Sequence, residues 1–111
     1  MKIKNHNNFV VLEDEKNDIM DFASFIETQV PSKYKGQNVV LNLLNYESME
    51  LPELLMFLKT SNLHRKTKQS FVIVNDAIEI DDIPFEMTVV PTLQEAEDII
   101  EMEEIERDLG F

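Results

Sequence analysis

Two apolar runs constrain this chain most: Asn38-Val39-Val40-Leu41-Asn42-Leu43-Leu44 and Ser70-Phe71-Val72-Ile73-Val74. A strand with one wet face alternates apolar and polar residues, so runs apolar at consecutive positions suit strands covered on both faces. The segments between them have helical rhythm. Ile19, Phe22, Ala23, Ile26 and Val30 fall on one side of a helix, as do Leu51, Leu54, Leu55, Leu58 and Asn62. Strands alternating with one-sided helices define an α/β sandwich around a mixed sheet. At 111 residues, one domain over 1–111 is expected, with a core that needs neither disulfide nor metal.

Along the chain, residues 2–5 and 9–13 flank the polar turn His6-Asn7-Asn8 and read as an amino-terminal β-hairpin. A helix follows, opened by an N-cap at Asp14 or Asn17 and stopped by Pro31. After the strand at 38–44, a second helix starts between Ser48 and Pro52, with Ser48 as its cap and Pro52 in its first turn. It ends at the cationic stretch His64-Arg65-Lys66-Thr67-Lys68, which complements the helix dipole. The strand at 70–74, an irregular acidic connection over 77–86 and a last strand at 87–90 come next. Thr92-x-x-Glu95 is a capping box that opens the final helix. The expectation is a mixed sheet of four to five strands with about three helices.

That final helix has an unusual pattern. Leu93, Ala96, Ile99 and Ile100 share one face, whereas Met102, Ile105 and Leu109 lie about half a turn away at ~100° per residue. Either the helix breaks near Glu101, or residues 101–111 form an amphipathic extension directed beyond the sheet. Phe111 extends the second apolar set. Folding back onto the domain and self-association are both open to it.

Charge is equally uneven. Residues 76–111 hold 13 of the 22 acids and only Arg107 against them, so they carry the whole net charge of −12. This field disfavours nucleic acid and anionic membrane and favours a basic protein partner. The cluster Lys59, Arg65, Lys66 and Lys68 could instead meet the acidic segment of a second copy. Met1 to Asn8 turn polar at once and read as no secretion signal, and the cytoplasm is the expected location.

Several chemistries lack their residues. Zero cysteines exclude thiol catalysis, disulfides and cysteine metal sites. His6 and His64 stand alone and read as surface residues. They supply neither a nucleophilic triad nor the clustered histidines of a ribonuclease Z-type zinc hydrolase. The acids Glu79, Asp81, Asp82 and Glu86 lack the mid-loop glycine of an EF-hand and read as solvated charge. A receiver-type phosphoacceptor is excluded too, since Asn42 and Asn45 stand where its aspartate would and Val90 precedes Pro91. No metal or cofactor is expected.

The run Val39-Val40-Leu41-Asn42-Leu43, followed by Glu50-Leu51-Pro52-Glu53-Leu54 and later by Pro91-Thr92-Leu93-Gln94-Glu95-Ala96, resembles the STAS domain of bacterial anti-sigma factor antagonists. That family has a V-V-L-D-L strand, a D-S-S-G-L loop-to-helix segment and a P-T-L-x-E-A-L helix start. The resemblance implies a non-catalytic regulatory or protein–protein interaction module. Its contact surface would include Ser48, Met49, Glu50, Pro52, Glu53 and Met56. Met102, Ile105, Leu109 and Phe111 form a second candidate surface, open to a homodimer through the last helix. Leu51 and Pro52 stand where the family has serines, so the phosphorylation switch is lost. The family helix between the last two strands is reduced to the connection at 77–86, which could expose Ile80, Ile83 or Phe85. The competing reading is a small-molecule or nucleotide-binding domain, or a carboxylate enzyme. It would use Asn45, Glu47, Asn75 and Asp76 at the carboxyl ends of the strands.

Overall fold

The two apolar runs become the interior of the sheet. A computed structural model describes residues 1–110. In it, strands β1 (Lys2–Asn5), β2 (Phe9–Glu13), β3 (Asn38–Asn42), β4 (Phe71–Val74) and β5 (Thr88–Val90) form one sheet in the order β1-β2-β3-β4-β5. β1 and β2 are the expected antiparallel hairpin, and β2 to β5 are parallel. Four helices accompany it: α1 (Ile19–Lys33), α2 (Leu51–Leu55), α3 (Leu58–Arg65) and α4 (Leu93–Asp108). The architecture is thus α/β with a mixed five-stranded sheet.

Alternation along the strands sends Val10, Leu12, Val39, Leu41, Phe71 and Ile73 to one face, where α1, α2 and α3 cover them. Phe9, Val11, Val40, Val72 and Val74 point to the other face, where Ala96 and Ile100 of α4 meet them. Continuous apolar sequence therefore does signify two covered faces here.

Several local expectations are corrected. The α1 N-cap is Asp18, whose carboxylate accepts from the Asp21 N–H at 3.2 Å. Asn17 turns the chain just before it at φ 56°. Pro31 does not stop α1. It lies on the exposed side, and the helix continues to Lys33 before the Tyr34 N–H closes it on Val30 O at 3.0 Å.

The single second helix is two helices. At Met56 and Phe57 the backbone tightens to i→i−3 bonds, from Met56 N–H to Glu53 O and from Phe57 N–H to Leu54 O. This turn swings Phe57 into the core, edge-on to Phe22 at 6.2 Å between ring centres. The buried side then runs through Phe57, Thr60, Ser61 and His64, leaving Leu55 and Leu63 exposed. His64 is consequently a core residue and not a surface one. Its Nε2–H donates to Gln37 O at 2.6 Å and its ring meets Phe71 edge-on. Burial, opposed by that hydrogen bond, lowers its pKa from the ordinary 6.5.

The connection at 77–86 contains one short 3-10 turn, Ile80–Asp82. Ile78 and Met87 anchor it in the core and Ile83 packs half-buried against that core, while Ile80 and Phe85 project into solvent.

α4 does not break near Glu101. It begins at the expected cap, Thr92 Oγ1 accepting from Glu95 N–H at 3.1 Å, and runs unbroken to Asp108. Its second half reaches the amino ends of the strands, where polar contacts replace apolar ones. Ser70 Oγ donates to Glu103 Oε1 at 2.5 Å, and Asn8 Nδ2 donates to Glu104 Oε1 at 2.6 Å. Arg107 donates to Ser70 Oγ and to Asn38 Oδ1, each at 3.2 Å. Glu103 also pairs with Arg65 at 3.5 Å. Met102, Ile105 and Leu109 are left facing outward.

Candidate functional site

The carboxyl ends of β2, β3 and β4 are the place where a parallel sheet gathers its loops. Asp14 and Asn75 tie those loops together, and Asn42 shapes its own. Asp14, directly after β2, accepts from the N–H groups of Lys16 and Asp18, both at 3.0 Å, and from the Tyr46 hydroxyl. Asn42, the last residue of β3, accepts from Leu44 N–H at 3.0 Å. Asn75, directly after β4, donates to Leu43 O at 2.8 Å and Tyr46 O at 3.2 Å, and it accepts from the N–H groups of Ala77 and Ile78.

Charge at this edge follows from those bonds. Burial works against the Asp14 carboxylate, but the Tyr46 hydroxyl and the two backbone donors outweigh it and hold its pKa below the ordinary 3.8. Burial and the same bond push the Tyr46 phenol far above its usual value. Both shifts favour a carboxylate accepting from a neutral phenol at neutral pH.

Of the residues of the competing reading, two share one depression and two do not join it. Asn45 and Glu47 line a shallow open depression of about 490 Å³, with Asn17, Ile19, Tyr46, Ser48 and Glu53. Asn75 is buried and fully bonded, and Asp76 lies outside that lining. Among the described residues, no group of three or more His, Cys, Asp or Glu is placed to hold a metal ion. No helix among them is long and apolar enough to cross a membrane.

Over this platform stands the start of α2. Its N-cap is Glu50 and not Ser48: the Glu50 carbonyl accepts from Glu53 and Leu54 N–H, while Glu53 Oε1 takes the Glu50 N–H at 2.9 Å. The local reason is Glu53, whose side chain reaches back three residues. Pro52 occupies the first turn, as its missing N–H allows. Ser48, Glu50, Pro52 and Met56 are exposed and Glu53 is half-buried. Met49 is corrected: it is buried in the core under the three-helix face and presents nothing to a partner.

The other set is on the opposite face of the sheet. Met102, Ile105 and Leu109 share the outer side of α4, and Phe111 lies outside the described residues. The two sets are therefore separate surfaces. What the sequence did not reveal is the bonding within each edge: the Asp14–Tyr46 pair, the Asn75 bracket, and the clasp of Asn38, Ser70, Glu103 and Arg107. An acid or amide at the carboxyl end of β2, β3 and β4 (Asp14, Asn42 and Asn75) was the available signal. Compared with known proteins, the chain matches no family model and no curated sequence.

Proposed function

We propose that this chain is a STAS-like, non-catalytic interaction module that engages a cytoplasmic protein partner through the α2 edge. The observation that carries this reading is the state of the polar groups there. Asp14, Tyr46 and Asn75 are spent on neighbouring loops and Asn42 Oδ1 on its own, so the edge offers a braced platform surmounted by Ser48, Glu50, Pro52, Leu55 and Met56. Preorganised loops bearing a mixed apolar and charged rim suit recognition, because little freedom is lost on binding. The element order, a hairpin leading into parallel strands with a helix after β3, supports the resemblance.

Regulation by phosphate at the family position is not available, since Leu51 is half-buried there and carries no acceptor oxygen. The test is comparative capture from the native cell by the intact chain and by a Glu50→Arg/Met56→Arg variant, with mass spectrometry. A protein retained by the first and lost by the second is expected. Identical captures would sink the reading. A nucleotide or divalent ion that raises the melting temperature, and fails to do so in Asn45→Ala, would replace it with a ligand-binding function.

A further inference from the structure

α4 is held with an apolar stripe facing away from the protein. Ala96, Ile100, Glu103 and Arg107 occupy its sheet-facing side; Met102, Ile105 and Leu109 lie about half a turn away at ~100° per residue and are 56%, 60% and 67% exposed. The helix cannot roll to bury them. Doing so would pull Glu103 and Arg107 off Ser70 and Asn38, and Glu104 off Asn8.

Carboxylates border this stripe. Glu95, Asp98, Glu101, Glu106 and Asp108 are all exposed, and the one base of α4, Arg107, is turned to the sheet. A second copy docked stripe to stripe would press two such acidic borders together as water leaves, which is repulsive. An anionic lipid surface meets the same obstacle.

We propose that the outer side of α4 is a docking surface for a cationic amphipathic helix, whose aliphatic residues at i, i+3 and i+7 cover Met102, Ile105 and Leu109 while flanking Lys or Arg meet the carboxylates. Charge complementarity selects this occupant, and three apolar anchors on one helix side are the usual footprint of helix-on-helix recognition. The thioether of Met102 is flexible enough to adapt to different partner side chains. The surface lies across the sheet from the α2 edge and does not depend on what that edge binds.

The probe is a fluorescein-labelled synthetic amphipathic helix with a leucine stripe and lysine flanks, titrated with the full chain by anisotropy. A version with glutamate flanks is the control. The lysine helix should bind on the order of tenfold or more tightly than the glutamate helix, and more weakly as salt rises. Ile105→Ser and Met102→Ser should each weaken it by about tenfold. Phe85→Ser, a change at an exposed apolar residue elsewhere, and the Glu50→Arg/Met56→Arg variant should leave it unchanged. Binding unaltered by Ile105→Ser would reduce the attraction to bulk charge and overturn the proposal. So would equal affinity for the two helices. A dimer seen by light scattering and dissociated by Ile105→Ser would overturn it in favour of a second copy.

Discussion

The two faces of the sheet are closed by different chemistry. On one, α1, α2 and α3 join the strands in a continuous apolar cluster that includes Phe22, Ile26, Leu54, Phe57 and Phe71. On the other, α4 contributes Ala96 and Ile100 to a small cluster and completes its docking with carboxylates, amides and a guanidinium. Apolar burial is strong but indifferent to rotation, whereas hydrogen bonds demand one geometry. The first face buries the larger apolar cluster. The second fixes which side of α4 looks outward.

Substitutions can break that contrast. Phe57→Ala should cost about 3–5 kcal/mol in urea unfolding, because a fully buried ring leaves a cavity that two helices cannot close. A loss under about 1 kcal/mol would mean the face is loosely packed. Asn75→Ala should cost roughly 2–3 kcal/mol: it frees two carbonyls and two N–H groups in a buried turn. Arg107→Ala probes the other face and should cost about 1–2 kcal/mol. Its signature is local, with faster amide exchange over residues 101–108 and unchanged protection in β3 and β4. Uniform loss of protection would show that both faces unfold as one unit.

A pH experiment sharpens the same comparison. The folded pKa of His64 lies below 6.5, so under acid the unfolded chain takes up the proton first and stability falls. The contribution is whole above pH 6.5 and is lost as pH drops toward the folded value. His64→Gln, which can still donate to Gln37 O, should flatten that part of the stability curve. An unchanged slope would assign the acid sensitivity elsewhere, with Asp14 acting only below its ordinary 3.8. The smallest effect is expected at Met102→Ser, within about 0.5 kcal/mol, since its side chain touches mainly water.

Local chemistry was legible in the residues. The hairpin around His6-Asn7-Asn8, the doubly covered strands, the one-sided stripe of α1 and the Thr92 cap each depend on neighbours a few positions apart, and all are present in the structure. Pro31 and the second helix misled because a rule about backbone geometry gave way to tertiary packing. Val30 and Tyr34 on either side of Pro31 are buried in the core and hold the last turn helical despite the lost hydrogen bond, and a tight turn at Met56 was worth making to bury Phe57.

The candidate surfaces divide in the same way. Ser48, Glu50, Pro52 and Met56 could be placed on a helix start from sequence, yet Met49 turned inward and the edge is braced through Asp14, Tyr46 and Asn75. Those partners are about thirty residues apart, and no periodicity links them. The sequence by itself determined that α4 has two apolar sides. Only the tertiary structure decided which one meets water, because that choice rests on where Asn8, Asn38 and Ser70 stand once three separate strand ends are brought together.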